Sequence, residues 1–162
     1  MIKKVKLQLL KRIAIGVGIS ELIGIAGGLF TIPAIPTWYA GLAKPWFNPP
    51  NWLFGPVWTS LYLLMGISFG LVWNTETNKN KDLAYSAFYI QLVLNFLWSG
   101  IFFGLKQPFL AFLEILILGV FVAICIKEFE RVNKTAGYLM TPYLAWISFA
   151  ALLNLAVVIL NF

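Results

Sequence analysis

Histidine is absent from this chain, and cysteine occurs once, as Cys125. Without histidine there is no Ser-His-Asp triad, no histidine-bound zinc and no histidine ligation of haem. A single cysteine excludes an internal disulfide, and its place near the end of an apolar run suits a packed thiol. Charge is scarce too: Asp, Glu, Lys and Arg make up 11% of residues, against about 25% in a soluble domain. Walker and dinucleotide glycine motifs are missing. The basic residues do not alternate with aromatics, so no nucleic-acid partner is expected. Glu21 and Glu114 fall in different apolar segments, and their spacing defines no general acid and base pair. Neither a metal site nor a required cofactor is expected.

What the chain has in abundance is apolar surface. Sixty per cent of its 162 residues are hydrophobic and mean hydropathy is +0.85, a composition solvated by lipid. Hydrocarbon offers no partner to backbone N–H and C=O groups, so the backbone must pair within itself. The alternation of a transmembrane barrel is missing. These facts predict an all-α integral membrane protein, one domain over 1–162. Five segments reach the roughly 20 residues that cross a bilayer core, near 10–30, 52–73, 83–105, 108–127 and 137–161. The first follows a basic stretch like a signal n-region, but no A-x-A-like cleavage site follows, and the segment is expected to be retained.

Lysine and arginine fix an expected orientation. Lys3, Lys4, Lys6, Lys11, Arg12, Lys79, Lys81, Lys127, Arg131 and Lys134 fall on the N-terminal side of the bundle, and only Lys44 and Lys106 on the other. The asymmetry places the N terminus in the cytoplasm and the 31–50 loop and C terminus outside. It also favours anionic lipid headgroups.

The connections constrain packing. Lys106 and Gln107 alone separate the third and fourth segments, with Pro108 suited to a first helical turn, so these helices must be antiparallel neighbours. Pro142 inside the fifth segment should kink it. The loop between helices 1 and 2 is long but carries Pro33, Pro36, Pro45, Pro49 and Pro50, which predict a stiff, ordered cover. Asn51 is a candidate N-cap for helix 2. Gly16, Ser20, Gly24 and Gly28 recur every four residues on helix 1. Such a ridge fits a homodimer contact, or equally another helix of the same chain.

Polar and aromatic residues within the membrane form stripes. Gln91, Asn95, Trp98 and Phe102 share one face of helix 3; Trp58, Tyr62 and Met65 one face of helix 2; Trp146, Ala150 and Asn154 one face of helix 5. Glu114 lies about 9 Å into helix 4, where an ionised carboxylate is expensive unless paired or wet. The plain reading is interhelical hydrogen bonding and aromatic packing. The convergence of indoles, amides and a carboxylate also fits a pocket for a flat apolar ligand, which rings stack on and amides orient.

The run W-Y-A-G-L-A-K-P followed by P-P-N-W-L-F-G-P-V-W-T, the helix 3 run Q-L-V-L-N-F-L-W-S, and P-Y-L-A-W in helix 5 resemble the tryptophan-rich sensory protein/translocator protein (TspO) family. The resemblance covers nearly all of 15–155. It implies a five-helix bundle, usually dimeric, that binds porphyrins; animal members also take cholesterol and benzodiazepine-type drugs, and some bacterial members degrade protoporphyrin in light. By this resemblance Trp58 and Trp146 are the paired pocket tryptophans, Trp38 and Tyr39 belong to the lid, and Asn95 and Trp98 to the pocket. Glu114 stands where animal members carry aspartate. The loop reads K-P-W-F-N-P-P where many members have K-P-S-W-x-P-P, which shifts its indole by one position. The C-terminal segment lacks the tyrosine and basic residue of a sterol-recognition pattern, so sterol is not the expected ligand. Three functions follow: a tetrapyrrole-binding protein for sensing, sequestration or transport; a light- and oxygen-dependent porphyrin-degrading enzyme with Trp58 and Trp146 as redox partners; or a structural membrane partner.

Overall fold

A computed structural model describes residues 2–77 and 81–161, with side chains from Lys6 onward; Asn78, Lys79 and the side chains of Lys3 and Lys4 lie outside the described residues. The protein is a bundle of five helices: α1 (Ile2–Ala34), α2 (Asn51–Asn74), α3 (Asp82–Ser99), α4 (Pro108–Val132) and α5 (Lys134–Asn161). A π-helical turn, Gly100–Gly104, extends α3, and a 3-10 turn, Tyr39–Gly41, lies in the first loop. Each helix contains a span long and apolar enough to cross a bilayer, from Lys6–Ala34 to Lys134–Asn161. The protein is integral to the membrane and multi-pass.

Helix boundaries overrun the apolar segments because charge ends a hydropathy window without ending a helix. α1 starts before the lysine-rich stretch, where lysines can reach headgroups along their alkyl stems. The start of α5 is set by Asn133, the one residue between α4 and α5, held extended at φ −151° and ψ 111°. Its Oδ1 accepts the Ala136 amide at 3.2 Å, and its Nδ2 donates to Thr75 Oγ1 at 3.0 Å. One asparagine therefore reverses the chain and ties the junction to the end of α2. At the other end of α4, Lys106 adopts φ 56°, and Pro108 opens the helix at a position that needs no donor.

One local expectation changes. Asn51 is the first helical residue of α2, while Pro50 is its cap, extended at φ −62° and ψ 143° with no side-chain cap bond. The proline ring already holds the extended backbone a cap requires, and its carbonyl accepts the Leu53 amide at 3.0 Å. α5 continues without a break through Pro142. The missing proline N–H leaves the Tyr138 carbonyl free, and the Thr141 hydroxyl donates to it at 2.8 Å.

The small-residue ridge of α1 packs against α2 of the same chain. A Cβ on Gly16 would meet the Gly66 carbonyl oxygen at 2.4 Å, and one on Gly66 would meet Val17 Cα at 2.3 Å. Gly24 abuts the Tyr62 ring, with a Cβ falling 2.3 Å from Cε2, and Ser20 between them is fully buried. Gly16, Ser20 and Gly24 are therefore not a free dimer face: α2 fills the groove they make. Gly28 has only its own helix's Ile32 nearby.

Aromatic stacking fills the inner half of the core. Phe88 stacks on Phe69 at 4.5 Å and on Phe129 at 5.8 Å, linking α2, α3 and α4. Such pairs add to area burial. Toward the loop the helices part, and the space between them is the cavity.

Candidate functional site

The loop end of the bundle is covered by a segment held at several points. Tyr39 is buried and donates its hydroxyl to Asn48 Oδ1 at 3.0 Å. Burial pushes this phenol above its ordinary pKa, against the smaller opposing effect of the Asn48 bond, so it stays a protonated donor. The Lys44 ammonium sits 4.7 Å from the centre of the Tyr39 ring. The Asn161 amide clamps the loop to the end of α5, accepting the Ala43 N–H at 2.8 Å and donating to the Ala43 carbonyl at 2.9 Å. Trp46, the displaced indole, is 95% exposed and lies outside the cavity wall. Its position suits the membrane interface.

Beneath this cover lies a cavity of about 610 Å³ lined by α1, α2, α3, α5 and Tyr39. Its size falls within the roughly 300–1,000 Å³ of small-molecule sites. Trp58, Tyr62, Trp98, Phe102, Trp146, Ala150 and Asn154 are all in its wall. Helical periodicity puts them there, since each set repeats along one face of its own helix. Trp58 stacks on Tyr62, with centroids 5.5 Å apart and planes 28° from parallel, and meets Tyr143 edge-on at 6.2 Å. Trp98 stacks on Phe102 at 5.1 Å, and Phe54 meets Trp146 edge-on at 6.0 Å. The π-helical turn from Gly100 supports the Phe102 position, the Leu105 amide donating to the Gly100 carbonyl at 2.8 Å.

Four expected pocket residues are not in the wall. Trp38 stands outside it and packs edge-on against Phe102 at 5.5 Å. Asn95 lies behind it, accepting the Tyr62 hydroxyl at 2.5 Å and donating to the Tyr143 hydroxyl at 2.9 Å. Gln91 is deeper still, fully buried, with Nε2 at 3.8 Å from Met65 Sδ. Glu114 is buried on α4, which contributes no lining residue. The inward face of α3 thus serves two ends: Trp98 and Phe102 line the cavity, while Asn95 and Gln91, about one and two turns further in, join the helices. Asn154 is in the wall but committed, accepting the Trp98 indole N–H at 3.2 Å and donating to the Pro108 carbonyl at 2.8 Å. The indole N–H of Trp146 is buried, with no acceptor among the described residues.

Sequence reasoning missed Phe54, Thr59, Ser99 and Glu21 in the wall. Only Glu21 carried a signal, as a carboxylate within an otherwise apolar span.

A polytopic five-helix membrane protein with an aromatic cavity beneath the loop between α1 and α2 is the class this architecture defines. The chain belongs to the TspO/MBR family, whose profile matches residues 16–160. It is 46% identical over 139 residues to the tryptophan-rich protein TspO of Archaeoglobus fulgidus, covering 86% of this chain and 90% of that one. The namesake from Chlorobaculum tepidum is 40% identical over 150 residues, 92% of this chain and 95% of that one. The translocator protein of Homo sapiens is 39% identical over 122 residues, 74% and 72% of the two chains.

Proposed function

We propose that this protein binds a tetrapyrrole, or a ligand of similar flatness and polarity, in the cavity beneath the 31–50 loop, for sensing, sequestration or transfer within the membrane. The observation that carries the reading is the wall itself: Trp58 from α2, Trp98 from α3 and Trp146 from α5 converge on one space with almost no competing charge. Indole faces stack on extended π-systems. Relatives named translocator protein and tryptophan-rich sensory protein are consistent with ligand handling. The test is a titration of the solubilised protein with protoporphyrin, read by quenching of tryptophan fluorescence. Free-base protoporphyrin should bind at least as well as haem, because without histidine the cavity lacks the commonest strong axial ligand. No quenching by protoporphyrin would remove the tetrapyrrole reading.

A second reading, photo-oxidative degradation of the bound ring, is favoured by the Trp58–Tyr62 stack, two oxidisable side chains in the wall. The orientation proposed from the basic residues puts the loop outside and the N terminus in the cytoplasm. A cysteine at exposed Ala43 should react with an impermeant thiol reagent on intact cells, and one at Asn78 should not. The reverse pattern would invert the protein.

A further inference from the structure

The cavity has one carboxylate and no cation. Glu21 is the lone Asp or Glu in the wall, and no Lys or Arg joins it. The residue lies near the middle of the α1 span Lys6–Ala34, the depth at which an ionised side chain is most costly unless a partner or water meets it. No hydrogen-bond or ion-pair partner for it is found among the described side chains, and unlike Glu114 its oxygens are not sealed in the core.

Its position within the cavity is defined by chain direction. α1 and α3 end at the loop side and α2 begins there, so Glu21, Tyr62 and Trp98 are the innermost lining residues of their helices; on α5, which runs toward the loop, Trp146 is innermost. Gly24, one turn along α1 from Glu21, gives way to the Tyr62 ring. The carboxylate therefore stands at the inner end, among aromatic rings, while Lys44 lies at the loop end beside Tyr39.

We infer that Glu21 is a ligand-selecting residue, whose carboxylate receives a cationic or N–H-bearing group of a flat apolar ligand at the inner end of the cavity. Applied to the tetrapyrrole reading, on which this part rests, the pyrrole N–H groups lie toward Glu21, and acidic substituents turn outward toward the loop. A carboxylate entering first would meet a like charge in a low-dielectric space. The same carboxylate makes the site discriminate against flat neutral hydrocarbons, since an empty inner end leaves it unpaired.

The test uses three probes on wild type, Glu21→Gln and Glu21→Leu in neutral detergent: 9-aminoacridine, a flat cation at neutral pH; anthracene, its uncharged hydrocarbon counterpart; and protoporphyrin. Wild type should prefer aminoacridine to anthracene by about tenfold or more, the value of a hydrogen bond to a charged group. Both variants should lose that preference, and Glu21→Leu should bind anthracene at least as well as wild type, which shows that its cavity remains intact. Equal preference in wild type and both variants would overturn the assignment. Protoporphyrin separates the two readings. If it fails to bind wild type while the cation preference depends on Glu21, the tetrapyrrole reading falls and the Glu21 assignment stands. If it binds wild type and both variants equally, the pyrrole contact falls while the tetrapyrrole reading stands.

Discussion

Trp146→Ala and Trp58→Ala should each weaken protoporphyrin binding by about 1–3 kcal/mol, roughly five- to 150-fold, the range for loss of a large buried aromatic contact. Trp46→Ala should change it little, since that indole is 95% exposed and outside the wall. The two losses have different sources. Trp146 packs against half-buried Phe54 and Phe149, whereas Trp58 holds its orientation through stacking on buried Tyr62 and an edge contact to buried Tyr143. Trp58→Ala should therefore also loosen the wall, and a parallel thermal melt is needed to separate affinity from stability. Phenylalanine is the more informative replacement at both positions. It keeps much of the stacking surface but removes the N–H and the easily oxidised indole. As a binding protein, the Phe variants should lose affinity only modestly. As a photo-oxidative enzyme, they should still bind, while aerobic illumination no longer consumes the porphyrin; anaerobic dark samples give the baseline. Unchanged affinity in all four variants would take both tryptophans out of the site.

Much of this arrangement is legible in the chain because helices repeat every 3.6 residues and lipid forbids unpaired backbone. The apolar segments become the five helices, and the stripes Trp58–Tyr62 and Trp146–Ala150–Asn154 come to line one space. A stripe gives the direction a side chain faces and not the depth at which a cavity ends. Gln91 and Asn95 share the face of Trp98, yet the helices have already closed around them. Nor does a stripe locate its helix in the bundle: Glu114 faces inward from α4, but α4 lies behind the wall. The glycine ridge of α1 reveals close approach without naming the neighbour, and Gly66 and Gly70 on α2 are its complement. Long-range polar clamps leave the faintest trace. Asn161 meets Ala43 across 118 positions of sequence, and no local pattern announces that pair.

Asn95→Ala should destabilise the bundle by about 1–3 kcal/mol, through orphaned groups more than through lost packing. Interhelical hydrogen bonds in membranes average only about 0.6 kcal/mol in double-mutant cycles, so the expected loss needs its own reason. Asn95 serves two hydroxyls on two other helices: Tyr62 donates to its oxygen, and its nitrogen donates to Tyr143. Tyr143 is fully buried and Tyr62 nearly so, which leaves little route for water to replace the amide after truncation. The consequence extends to the cavity, because Trp58 stacks on Tyr62. Protoporphyrin affinity should fall with stability even though Asn95 touches no ligand. The discriminating variant replaces all three residues, Asn95→Leu with Tyr62→Phe and Tyr143→Phe. Removing both partners along with the amide leaves no unmet donor or acceptor, so most of the lost stability should return. Unfolding followed in mixed micelles with rising denaturing detergent gives the comparison. A triple variant as unstable as Asn95→Ala would place the cost in packing, and an Asn95→Ala protein as stable as wild type would show that the three helices hold together without this amide.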